Sequence, residues 1–313
     1  MSVVVDRHAR AMGGPAQVIV YTHSPHHADN LAGLALERIE ILEDTWSRFR
    51  PDSALSRLND RAGRGPQSMG PDLALLVIAM LEASAVTQGR YDPTVLHSMT
   101  RLGYDRDFAA VIAREALEVA AAVTSPTPGT LHIDFDPTAS TVTLPRGVGL
   151  DPGGIGKGLA ADIVASEIEA AGATGVLVNL GGDVVTRGTA AGEPWLVGIQ
   201  DDRLPSSPVL EQVTLTDALP AIATSSTLKR RWHGRHHVVS PLTGLPAETD
   251  LAQVSVQAPS GWLAEAATTC VLLLGEHEGA HWLREQGFNG LLLPADTTRS
   301  STHVAARGGR VHA

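Results

Sequence analysis

Two glycine turns, each beside an aspartate, are where this sequence first points to chemistry. Residues 151–162 read DPGGIGKGLAAD, and residues 176–188, after a helix-length interval, read VLVNLGGDVVTRG. Glycines let backbone N–H groups approach an anion closely, and a helix that follows offers its positive N-terminus. The pattern therefore predicts a phosphorylated ligand, with a nucleotide as the leading candidate. It is not a Walker A loop, whose opening glycine and closing Ser or Thr would fall on Asp151 and Gly158, nor a Rossmann fingerprint, because its glycines read GGxGxG. Lys157 brings a positive charge to the first turn, suited to a phosphate. Asn179 and Asp183 sit at a strand end in the second, where such residues recognise a ligand or cap their own backbone. Taken alone, each turn also has a purely structural reading.

Two further segments carry reactive groups. Residues 221–246, AIATSSTLKRRWHGRHHVVSPLTGLP, place Thr224, Ser225 and Ser226 after an apolar run, with His233, His236 and His237 following. A histidine ahead of a Pro-x-x-Gly turn can be a general base, since an ordinary pKa near about 6.5 suits proton removal from a hydroxyl. The three imidazoles lack zinc spacing and no cysteine assists them. Residues 261–270, GWLAEAATTC, put Glu265 and Thr269 one helical turn apart on one face, where a carboxylate and a hydroxyl can meet a hard cation. An acidic residue near a helix N-terminus, favoured by the dipole, is the plainer reading of that carboxylate.

The elements that must position these groups follow from periodicity. Residues 17–22 predict a strand leading into a long helix over 27–47, and 48–60 predict a loop with a short helical turn. Helices are expected near 71–87 and 107–122, with a loop at 89–95 between them and two short strands around the DFDP at 134–137, the second at 140–144. Then come a helix over 159–171, strands at 176–180, 195–199, 211–215 and 253–258, helices at 262–274 and 278–286, and a strand at 290–294. The mixture predicts an α+β or α/β architecture. No internal repeat or linker divides the chain, so 1–295 is expected to form one domain, with 296–313 as a loose tail.

Composition narrows the classes. The 313 residues are 43% hydrophobic, ample for a core, and the net charge of −10 argues against a dedicated nucleic-acid surface. Cys270 is the one cysteine and lies in the apolar run CVLLL, which excludes a disulfide framework within the chain. The opening MSVVVDRHARAMGG carries charges where a secretory signal needs an apolar stretch, and no apolar run is long enough to span a bilayer. A soluble cytoplasmic protein is expected.

Taken together and in this order, the segments resemble the ApbE family, the FAD:protein FMN transferases, also described as thiamine-biosynthesis lipoproteins. The resemblance runs from about Met12 to Gly290. The family's Met-Gly-Thr resembles Met12-Gly13-Gly14. Its serine-aromatic-proline-aspartate-serine segment resembles residues 47–59, and its Gly-Ala-Phe-Asp-x-Thr resembles residues 89–94. GGIAKGYAxD is matched by 153–162, NxGGD by 179–183, and the ATS-to-HIIDPxTG region by 223–225 and 237–244.

The resemblance implies a T-fold-like α+β fold in two lobes, with an FAD site between them. It implies Mg²⁺ on the FAD pyrophosphate, attack by the threonine of an acceptor protein on the FMN-side phosphorus, and departure of AMP. The metal would be held by the Gly156 carbonyl, Glu265, Thr268 and Thr269, and His237 would be the base. Flavin contacts would fall on Met12, Phe49, Arg90, Tyr91, Asp92, Leu159 and Val239, many through main chain, and Lys157 would face a phosphate. The chain departs from the family pattern in four places: Glu265 stands for an Asp, Ser240 for the Asp of HIIDP, Leu159 for an aromatic, and Gly156 for Ala. Transfer of FMN is the first expectation. Hydrolysis of FAD to FMN and AMP, and FAD binding without turnover, are its alternatives.

Overall fold

Alternation along residues 14–22 builds the first core strand: Ala16, Val18, Val20 and Thr22 are buried while their neighbours are not. The computed structural model describes residues 2–114, 123–204 and 209–306. In chain order its elements begin β1 (Val3–Ala11), β2 (Gly14–Thr22), α1 (Pro25–Trp46), α2 (Ala54–Asp60), β3 (Gln67–Ser68), α3 (Pro71–Val86), α4 (Leu96–Arg101) and α5 (Phe108–Ile112). They continue β4 (Asp134–Asp136), β5 (Thr141–Thr143), α6 (Gly156–Ala170), β6 (Gly175–Leu180), β7 (Asp183–Gly188), β8 (Trp195–Gln200), β9 (Val209–Leu215) and β10 (Ala221–Ser226). Last come β11 (Arg231–Trp232), β12 (Arg235–His236), β13 (Leu251–Ala258), α7 (Gly261–Gln286), β14 (Asn289–Pro294) and β15 (Thr302–Val304).

The chain divides into two compact units. Residues 1–41, 157–228 and 249–313 form the larger, and 42–156 with 229–248 the smaller. Among the described residues the larger unit carries an eight-stranded antiparallel sheet in the order β1-β2-β6-β7-β10-β13-β14-β15. All eight residues of β13 are buried, so the sheet is covered on both faces. Helix α7 packs on β10, β13 and β14. The β8–β9 hairpin brings Trp195, Ile199 and Leu215 against Leu177, Val184, Ile222, Leu291 and Leu293.

Helix α7 joins two helical segments at Gly275, whose φ of 78° and ψ of 178° are open to glycine and strained for other residues. The two helices expected over 262–274 and 278–286 meet there. The smaller unit is centred on Met99, Leu102, Tyr104, Val111, Trp232 and Val239, with the Trp232 indole donating to the Leu102 carbonyl at 2.8 Å. The helix expected over 107–122 is observed as α5, and 115–122 lie outside the described residues. Within the segment expected to be loose, Thr302–Val304 pair with β14 because Gly290, Leu291 and Leu292 leave an open strand edge there. Residues 307–313 lie outside the described residues. Among the described residues, no helix is long and apolar enough to cross a membrane.

Candidate functional site

Three of the segments singled out above converge in the larger unit. The Lys157 ammonium, in the first turn of α6, bonds the Asp183 carboxylate at the start of β7 and lies 2.5 Å from Glu265 Oε1 in the first half of α7. Glu265 Oε2 accepts the Gly158 amide at 2.8 Å, and Asp183 Oδ1 accepts the Thr224 amide of β10 at 3.3 Å. Asp183 and Glu265 are only 2% and 3% exposed. Two buried carboxylates thus share one ammonium. Burial pushes Glu265 up to about 7, with Lys157 opposing and Asp183 adding to the rise.

Backbone geometry makes this convergence possible. Helices α6 and α7 touch at Gly158 and Gly261, where a methyl group on Gly158 would lie 2.2 Å from the Gly261 carbonyl oxygen. Asp162, one turn along α6, accepts the Gly261 and Trp262 amides at 2.8 and 3.0 Å and so caps α7. Burial pushes its carboxyl up to about 6, against those two donors and Arg187. The β6–β7 turn is closed by the Gly182 amide on Asn179 Oδ1 at 2.9 Å, and both of its glycines have positive φ. Met12 and Gly13 form the two-residue turn between β1 and β2, also at positive φ. That turn lies beside the β6–β7 turn, since the Gly181 amide donates to the Pro15 carbonyl at 2.8 Å.

The other expected residues take varied places. In the larger unit Leu159 is buried, and Thr269 is half-buried. Thr268 is fully enclosed, its hydroxyl bonding the Glu265 carbonyl at 2.7 Å and Ser225 Oγ at 2.6 Å. In the smaller unit Gly156 opens α6, its amide on the Pro152 carbonyl. Phe49 is 39% exposed and lies against Tyr104 with centroids 5.7 Å apart, and Arg90 is exposed. The side chains of Tyr91 and Val239 face the core. The Asp92 carboxylate caps the 3₁₀ turn at residues 93–95, accepting the Thr94 amide and hydroxyl and the Thr127 hydroxyl. The side chains of Tyr91, Leu159 and Val239 are thus taken up in packing, and that of Asp92 in local hydrogen bonds. His237 is half-buried in the segment between β12 and the Val239–Pro246 bridge.

Arg48 and Asn59 also organise these places and were not singled out by sequence. Arg48 forms a buried ion pair with Asp151 at 3.1 Å, donates to the Tyr104 carbonyl at 2.7 Å, and lies 4.3 and 4.6 Å from the Phe49 and Tyr104 ring centres. Asp151 Oδ1 in turn accepts the Gly153 amide, closing the first glycine turn. Asn59 exchanges two hydrogen bonds with Leu150, at 2.8 and 2.9 Å. The signal was present, because Arg48 and Asn59 bound or adjoin the aromatic-proline segment and Asp151 opens the turn.

His236, next to the expected base, donates through Nε2 to the Ala247 carbonyl at 3.1 Å, and burial holds its pKa below the ordinary imidazole range. The unfolded chain takes up this proton first as pH falls, so His236 adds stability above about pH 6.5 that is lost as pH falls through its folded pKa. Urea titrations of wild type and His236→Gln at several pH values should show that acid-side loss shrinking in the variant. Parallel pH curves would contradict it.

Comparison with known proteins bears on what these groups do. The ApbE family model matches residues 12–292. The FAD:protein FMN transferase of Treponema pallidum is 30% identical over 298 residues, covering 87% of this chain and 81% of its own. The enzyme of the same name from Escherichia coli K12 is 29% identical over 260 residues, covering 80% and 72%. Among solved structures, the ApbE protein of Thermotoga maritima superposes with a TM-score of 0.83 at 22% identity, over 96% of this chain and 97% of that one. The apo flavinyl transferase ApbE of Pseudomonas stutzeri gives 0.78 at 23% identity, over 97% and 95%. These last two likenesses speak to the fold.

Proposed function

Since this chain belongs to the ApbE family, we propose that it transfers FMN from FAD to a threonine hydroxyl of an acceptor protein in a Mg²⁺-dependent reaction that releases AMP. The observation that carries this reading is the meeting of three motifs on one ammonium. Lys157 of the glycine turn, Asp183 of the NxGGD turn and Glu265 come together although Lys157 and Glu265 are 108 residues apart. With both carboxylates ionised, the trio holds one negative charge more than Lys157 balances.

Such a surplus, carried on carboxylate oxygens, fits a hard divalent cation. Glu265 and Thr269 of α7 are the side chains that would hold it, with Thr268 behind them and the Gly156 carbonyl contributed from the start of α6. When bound, Mg²⁺ supplies charge neutralisation to the phosphoryl oxygens and to the leaving AMP. Lys157 adds a fixed positive charge to the same task, held in place by Asp183. His237 takes the proton from the threonine Oγ as that oxygen bonds to the FMN-side phosphorus and the bond to the AMP-side oxygen breaks.

Chromatography of the protein with FAD, with and without Mg²⁺ and a threonine-bearing acceptor domain, tests the proposal. AMP together with FMN fixed on the acceptor is the expected result. Free FMN with AMP would replace transfer by hydrolysis, and unchanged FAD throughout would leave a binding protein. His237→Ala is expected to reduce transfer by about 10²–10⁴-fold while slow hydrolysis survives. Unimpaired transfer in that variant would remove His237 as the base.

A further inference from the structure

Strand β1 is the outermost strand of the large sheet among the described residues, and it pairs with β2 over all nine positions without a register shift. The orientation of its backbone follows from two hydrogen bonds on the far side of β2. The carbonyls of Pro15 and Tyr21 accept the Gly181 and Thr174 amides, each at 2.8 Å. Residues 15, 17, 19 and 21 therefore turn their backbone groups toward β6. Their partners across the hairpin are Arg10, His8, Asp6 and Val4. In an antiparallel pair these four must turn their own N–H and C=O groups outward, to the open edge.

Proteins usually blunt such an edge with charged side chains, a proline, a bulge or a short strand. β1 contains no proline and no bulge. Its charges are of both signs, and they are arranged symmetrically: Asp6 and Arg10 lie equally far on either side of His8, on the same strand face. All three are exposed. Asp6 is already oriented by Gln17, at 3.1 Å, and by His8, at 3.3 Å. Arg7, on the other face, is taken by Asp29 of α1.

We propose that β1 is a self-association surface, pairing antiparallel with β1 of a second copy of this chain about a twofold axis through His8. In this register the outward backbone groups of Asp6, His8 and Arg10 find partners, and Asp6 of each copy lies opposite Arg10 of the other. The neighbouring registers are worse. An axis through Asp6 or through Arg7 sets a charge directly against itself, and one through Ala9 leaves Asp6 facing Met12. The result is one sheet running through both copies, an isologous contact of the kind a twofold dimer requires.

Sedimentation velocity of the full chain over a concentration series, at pH 8 and low salt, tests this. A reversible monomer–dimer equilibrium is expected. Asp6→Arg and Arg10→Asp should each raise the dissociation constant about tenfold or more, because each turns two attractive cross-strand pairs into repulsive ones. The double variant Asp6→Arg/Arg10→Asp restores complementarity and should return to within about threefold of the parent. Circular dichroism melts of the three variants separate loss of pairing from loss of fold. A monomer at every concentration would overturn the proposal, and so would a dimer indifferent to the single changes or one that the double change fails to restore.

Discussion

Glu265→Ala is expected to lower FAD turnover by on the order of 100-fold or more while leaving FAD affinity within a few-fold of wild type. The side chain is buried and bonds only Lys157 and the Gly158 amide among its assigned partners, so its removal takes away the surplus negative charge and little else. Lys157 keeps Asp183 as counter-ion. Stability should change modestly: the Gly158 amide loses its acceptor, at about 1 kcal/mol, while a carboxylate that burial disfavours is no longer present. Glu265→Asp keeps the charge but shortens the arm, and should retain part of the turnover. Turnover with saturating Mg²⁺ and a separate FAD titration decide the matter. Equal loss of binding and turnover would make Glu265 a structural residue.

Gly158→Ala should damage the larger unit severely. The added carbon would sit 2.2 Å from the Gly261 oxygen and 2.4 Å from its carbonyl carbon, and backbone on both sides leaves no flexible side chain to move. Helices α6 and α7 must separate, which costs about 3 kcal/mol or more. The separation also withdraws the Gly158 amide from Glu265 and the Asp162 carboxylate from the α7 amides. Stability and turnover should therefore fall together, unlike the Glu265 variant. Gly33→Ala in α1 is the control, because nothing lies within 4 Å of its new carbon, and helix propensity predicts a neutral change or a gain of up to about 1 kcal/mol. Denaturant titration of the pair checks both, and a Gly158→Ala midpoint equal to wild type would refute the crossing as a constraint.

Much of this arrangement was legible in the sequence where a residue's neighbours are close in the chain. The two helical runs that meet at Gly275, the strand at 17–22 and the short helical turn within 48–60 are local patterns, and the structure follows them. Strand β1 was not legible, because VVVDRHARA is mostly exposed and pairs on one side only, so no alternation of buried side chains marks it. The glycine turns and α7 each drew notice, yet their meeting at Lys157 depends on a helix crossing 99 to 108 residues apart. No spacing rule encodes that. Asp92 illustrates the opposite difficulty: the motif around it was clear, while its carboxylate turned out to serve Thr94 and Thr127. A motif identifies which positions matter more readily than which atom of each residue is used.

The interleaving of the two units along the chain sets an order of events during synthesis. The smaller unit takes 42–156 and then 229–248, while the larger needs 249–306 to supply β13, α7, β14 and β15. A ribosome therefore releases β2, β6 and β7 long before their sheet can gain β13, and Lys157 waits 108 residues for Glu265. Loop closure over such separations is slow. Until β13 arrives the half-built sheet exposes β10, and a nascent chain stalled short of α7 holds the ammonium and one carboxylate without the group that completes them. The charged trio thus closes only after α7 has emerged, and any step that needs all three groups must follow it.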